Sequence, residues 1–354
     1  MMRKYGIVVM TALVTLTALS GCGGRNSSRQ AEKELVYSYK EEEGRMNFLA
    51  TDGSLWYGAE GDYAQKEEYF CVGEAPDALE RVCPVEEDLN VGQLNAGDGC
   101  CIWSEWSYEK GRKVIRAYLA DTEEVVTVAE LEEDDMLSQK PRIFGTKVYY
   151  TQTDDNGTTA FYEHDLASGE RTVLEEGIYT NFNYSVYYGD GHLFYNISTE
   201  ENAPYTLRVL DLTTMGQGEI TLPEDVSRLF DLTYDSERDR YALYFIDGSG
   251  KEHIGLYQEG GSIKAVYTLG QNSYLHHDRL EYRDGFLYWV TQYEVSGYVR
   301  DHYDFVMYDA EKDVPREVKG GFSFTLTEEG PYCLVFSADD SQDWMIHELY
   351  RMEP

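Results

Sequence analysis

The hexapeptides DGSLWY at 52–57, DGHLFY at 190–195 and DGFLYW at 284–289 share one pattern, a tight turn followed by an apolar, aromatic strand. Weaker copies stand at DGCCIW (98–103), GTKVYY (145–150), DRYALYF (239–245) and EGPYCL (329–334). Aligned on one position, Leu55, Cys101, Val148, Leu193, Leu243, Leu287 and Tyr332 follow each other at spacings of 44 to 50 residues. Seven units at that period predict a propeller of seven four-stranded blades. Glycine tolerates positive φ in a hairpin turn, which accounts for the recurring Asp-Gly.

Each unit also keeps an internal order. Residues 184–222 read NYSVYY, a turn, HLFYNI, the polar stretch STEENAP, YTLRVLDL, the turn TTMGQG and EITL. The third strand and its turn recur as AFYEHDLASGE (160–170), IGLYQEGG (254–261) and FVMYDAEKD (305–313). The seventh unit ends on MIHELYRM (345–352), one strand short, while ELVYSY (34–39) stands spare before the first unit. The expectation is that ELVYSY pairs with 345–352 and closes the ring, leaving no open sheet edge at the seam. Composition agrees. The chain has 31 Tyr, 32 Gly and only 8 Pro, a balance of strand formers and turn punctuation. The fold class expected is all-β, a single seven-bladed propeller over 34–354.

The formal net charge of −35 excludes nucleic acid and argues against an anionic lipid surface as partner, because phosphate binding needs clustered Lys and Arg.

The first residues read differently. Arg3 and Lys4 precede an apolar run from Ile7 to Leu19, too short for a comfortable bilayer span and closed by small residues. Residues 1–21 are therefore expected to be a signal peptide. Leu19-Ser20-Gly21-Cys22 resembles the bacterial lipobox. That resemblance implies diacylation of Cys22, a mature chain beginning there, and anchoring to the extracytoplasmic face of the cell membrane by two acyl chains. Residues 22–33 would form a polar tether. Export permits disulfides. Of the five remaining cysteines, Cys71 and Cys83 fall on neighbouring strands of the first unit and are the expected pair. Cys100 and Cys101 alternate across a strand and are expected to pack on opposite faces.

The blade pattern resembles exported bacterial propellers of the TolB-like and uncharacterised-lipoprotein kind, whose repeats also read turn-DG, apolar strand, polar loop, Tyr-x-x-Asp-x-x-x-Gly. The resemblance covers roughly 34–354 and implies the fold. It leaves function open, since propellers host many activities.

Motifs for chemistry are scarce. IDGSG (246–250) lacks the first glycine of a nucleophile elbow, and His347-Glu348 begins a zincin motif that Arg351 ends. TDDNG (153–157) lacks the distal ligands of a calcium loop and reads as a solvated turn. The adjacent histidines of His276-His277-Asp278 would face opposite ways on a strand, and Asp301-His302 adds little, so no metal and no cofactor is expected. The segments joining second and third strands share one face of the ring. Those of units two and six carry Trp103, Trp106, Tyr108, Tyr293, Tyr298, His302 and Tyr303 among charges, a mixture suited to recognising a glycan or a protein. The reading is a non-catalytic binding or sensing propeller. The alternatives are a carbohydrate-active enzyme using channel carboxylates and a scaffold of an envelope complex.

Overall fold

Two kinds of aspartate turn build the blades. At Asp190-Gly191 and Asp284-Gly285 both residues are left-handed, with φ of 45° and 70° and of 54° and 82°. Consecutive left-handed residues make the hairpin turn whose twist matches its strands. The second kind ends the third strand. Asp165, Asp211 and Asp309 each accept, on one carboxylate oxygen, the N–H groups two and three residues on, at 2.8–3.3 Å. Their carbonyls take the N–H of Gly169, Met215 and Asp313. The side chain thus satisfies turn donors that the ladder leaves over.

The computed structural model describes residues 29–39, 45–62, 67–86, 89–92, 94–107, 111–131, 141–153, 159–178, 186–197, 206–293, 302–338 and 345–353. Blade one comprises Arg45–Thr51, Trp56–Asp62, Glu67–Gly73 and Glu80–Pro84. Blade two has a first strand in two pieces, Asn90–Val91 and Asn95–Gly97, then Cys100–Ser107, Arg112–Leu119 and Glu124–Leu131. Blade three is Arg142–Phe144, Lys147–Thr153, Thr159–Asp165 and Arg171–Ile178. Blade four is Val186–Gly189, His192–Asn196, Thr206–Asp211 and Gln217–Thr221. Blade five is Val226–Asp235, Arg240–Asp247, Glu252–Tyr257 and Lys264–Thr268. Blade six is Ser273–Arg283, Phe286–Tyr293, His302–Asp309 and Val314–Lys319. Blade seven is Gly321–Thr327, Gly330–Ala338, Met345–Met352 and, from the other end of the chain, Lys33–Tyr39. Within each blade the strands pair in antiparallel order.

The closure is as the repeat count requires: Lys33–Tyr39 pairs antiparallel with Met345–Met352, Leu35 opposite Tyr350 and Tyr39 opposite His347. The chain joins the ring earlier than the tether expectation of 22–33. Arg29 and Gln30 lie parallel to Arg316 and Glu317 on the outer edge of blade six, and Ala31 is buried.

Seven apolar clusters are found among the described residues, and each straddles one blade–blade interface. First strands of neighbouring blades approach one another around the axis. At Gly189 a β-carbon would lie 2.1 Å from the Tyr234 backbone nitrogen of the next blade, so only glycine fits there.

This packing moves two expectations. Trp103 is not a loop residue. The second strand of blade two runs on to Ser107, and Trp103 lies fully buried between blades one and two, stacked on Phe70 at 4.1 Å. Cys71 and Cys83 are free thiols. The register sets Cys83 opposite Phe70 and Cys71 opposite Arg81, with a bulge between, so they occupy opposite faces of the sheet. Cys83 packs into the cluster against blade two, whereas the Cys71 thiol sits 3.6 Å from Glu60. Cys100 and Cys101 do separate as expected, one into each neighbouring cluster.

Candidate functional site

The seven first strands do not meet on the axis. They enclose a cavity of about 640 Å³ walled by residues from every blade. It lies toward the ring end that carries the Asp-Gly turns, since Asp190, Gly191 and Asp284 line it together with the last residues of several first strands. That is the end opposite the segments joining second and third strands.

Charged groups in this channel come from the short first strand of blade three and from the long first strands of blades five and six. Arg142 opens the first strand of blade three and is 5% exposed. Among the described residues its guanidinium hydrogen bond runs from Nη1 to Asn95 Oδ1 of blade two, at 3.4 Å, and its buried Nε has no partner there. Arg279, in the first strand of blade six, also lines the cavity. Its Nη1 donates to the Phe324 carbonyl at 2.7 Å, its Nε to Glu281 at 3.2 Å, and its plane lies 4.2 Å over the Phe324 ring. Burial lowers the Arg279 pKa from its ordinary value, Glu281 opposes that shift, and the Arg142 charge adds to it. The two positive charges therefore lie within electrostatic reach of one another.

The carboxylates in and beside this wall are engaged, Asp231 and Asp235 buried and Asp190 exposed. Asp231 accepts the Leu280 N–H of blade six at 2.9 Å and the Leu232 N–H at 3.0 Å. Asp235 accepts the Gly285 N–H at 3.3 Å, and the Arg238 backbone and guanidinium N–H groups at 3.1 Å each. Asp190 takes the Ser236 N–H at 3.0 Å from blade five. These groups fasten one inner strand to the next.

Of the residues singled out on the opposite end, the described ones are not brought into one cluster. Trp103 is core. Trp106 is a half-buried strand residue, and Tyr108 and Tyr298 lie outside the described residues. Tyr293 and His302 face each other in the blade-six ladder, and His302 is exposed. Burial, then Tyr267 beside it, pushes the Tyr293 hydroxyl well above its ordinary pKa. Tyr303 packs between His276 and the blade-seven rings Phe322 and Phe336. Blades two and six are separated around the ring, so their aromatics serve different interfaces. Cys22, expected to be lipidated, also lies outside the described residues. Sequence reasoning missed Arg142 and Arg279. The signal available was a cation inside the first strand of a unit, where period two aims alternate side chains at the axis.

No protein-family model matches the chain, and no curated protein sequence does. Solved structures do. The β-propeller domain of the Trilobed protease from Pyrococcus furiosus matches with a TM-score of 0.57 and 14% identity, over 87% of this chain and 97% of that one. That domain has an open velcro topology, whereas here the N-terminal strand closes the ring. An acylaminoacyl peptidase from Pyrococcus horikoshii matches with a TM-score of 0.52 and 13% identity, over 89% of this chain and 52% of that one, so this chain spans about half of it. TolB from Acinetobacter baumannii matches with a TM-score of 0.48 and 15% identity, over 88% of this chain and 79% of that one. At such identities the first two likenesses establish the propeller fold alone.

Proposed function

We propose that this chain is a lipid-anchored, extracytoplasmic binding propeller that holds a small polar ligand in its channel without transforming it. The observation that carries the reading is the 640 Å³ cavity walled by all seven blades. Its volume lies within the range of small-molecule sites. Catalysis on a sugar would need a carboxylic acid and a carboxylate free to act together. Asp231 and Asp235 instead hold backbone N–H groups of blade six, which supports binding over turnover. The lipobox at Leu19–Cys22 supports the anchor, and Arg29 paired on blade six leaves only residues 22–28 between lipid and ring.

A thermal-shift screen of neutral sugars, amino acids, carboxylates and phosphates tests this reading on the full chain. At least one compound is expected to raise Tm with concentration, as mass action on the native state requires. Ala96→Trp or Thr51→Trp, each filling the cavity, should abolish the shift while keeping the far-ultraviolet dichroism of the wild type. A shift that survives both substitutions would place binding elsewhere. Cys22→Ala is expected to release the protein from the membrane fraction and to end metabolic palmitate labelling; continued labelling would refute the anchor.

A further inference from the structure

Given a channel that binds a ligand, we propose that its interior is an oxyanion site, in which Arg142 and Arg279 hold the carboxylate or phosphate of a small ligand whose other end carries no net negative charge. A guanidinium buried this deeply normally spends its donors on carboxylates or carbonyls, because an unmatched buried charge is costly. Among the described residues Arg142 spends one, on a neutral amide at 3.4 Å. Its Nε, with no partner among the described residues, belongs to the edge of the fork that engages two oxygens of one oxyanion. A second orphan lines the same cavity. The Thr233 hydroxyl is buried without a hydrogen-bond partner among the described residues, and a hydroxyl completes an oxyanion's shell as readily as it does a water's.

The placement of charge argues in the same direction. Acidic residues outnumber basic ones 65 to 30 in this chain, yet two arginines converge in the channel. Of the carboxylates around them, Glu281 answers Arg279, and Asp231 and Asp235 are fastened to blade six. An incoming oxyanion would supply the counter-charge that Arg142 lacks among the described residues. The rim has the opposite sign: the Glu237 and Asp284 side chains at the mouth are 80% and 77% exposed, and Asp190 stands beside them. Arg283 at the rim is paired with Asp284. A polyanion meets repulsion there. A compact ligand enters with its oxyanion inward and a neutral or cationic end outward, as an amino acid or short peptide does.

The test is titration calorimetry of the full chain at low ionic strength, where screening is weakest. The probes are the dipeptide Gly-Lys, its C-terminal amide and inorganic phosphate. Saturable one-to-one binding is expected for Gly-Lys or for phosphate, and the stronger of the two identifies the oxyanion. Binding should weaken by about tenfold or more in Arg142→Gln and by less in Arg142→Lys, which keeps the charge but not the fork. Melting curves confirm that both variants fold. The proposal is overturned if the amide binds as tightly as the acid, if folded Arg142→Gln binds like the wild type, or if no probe binds. In each of those cases neutral solutes that still lose their thermal shift in Ala96→Trp would leave the channel reading standing; if they show no shift either, both readings fall.

Discussion

Two interfaces of the inner ring handle buried charge in opposite ways. Between blades five and six, Asp231 and Asp235 cross to the Leu280 and Gly285 N–H groups, and each carboxylate oxygen named above has a donor. Between blades two and three, Arg142 crosses to Asn95, and among the described residues its Nε is unmatched. Both sites are buried and both line or adjoin one cavity. The first is architecture, since removing either partner would strand the other. The second leaves donors in a place that solvent barely reaches, and structural proteins rarely retain such a group without a use for it.

The difference can be broken from either side. Asp231→Ala should give the largest effect, a loss of about 2–3 kcal/mol in denaturant unfolding, because it strands the buried Leu280 N–H and opens a gap between blades. A loss below half that would mean the carboxylate is not a fastener. Glu281→Gln comes next. It takes the counter-charge from Arg279 and should cost about 1–2 kcal/mol, discounted because the pair keeps some solvent contact; a neutral result would show that the Phe324 carbonyl and ring suffice. Thr233→Val is expected to be the mildest, neutral or stabilising by up to about 1 kcal/mol, since it replaces an unmatched hydroxyl by a methyl. A clear loss there would reveal a hydrogen bond that the described residues do not supply.

Much of this was legible in the sequence, and the reasons are local. The Asp-Gly turns repeat because the glycine is left-handed at 53, 99, 191 and 285, and the aspartate with it at 190 and 284. The aspartate ending the third strands of blades three, four and six repeats because its carboxylate closes the next turn. Both requirements act within a few residues, so they leave a period. The closing strand was legible by counting. What escaped was set by distant neighbours. Trp103 reads as a loop residue because Ser104, Glu105 and Ser107 follow it. All three are buried, and Glu105 is matched there by the Trp103 indole N–H and by Arg116. The Cys71 and Cys83 faces depended on one bulge. The attachment of Arg29–Gln30 to blade six carries no pattern, because two polar residues of an outer edge need none. Arg142 and Arg279 stand at different places in their units, so no repeat links them; only the closing of the ring brings both to one cavity.

The contrast between the two interfaces is tested most directly by the stability of Arg142→Met, measured by denaturant unfolding of the ligand-free full chain beside wild type and Asp231→Ala. If the Arg142 charge is uncompensated by the fold and kept for a ligand, replacing it with an apolar side chain of similar length leaves the midpoint unchanged or raises it. A loss as large as that of Asp231→Ala would make Arg142 another fastener of the ring, and would contradict the account.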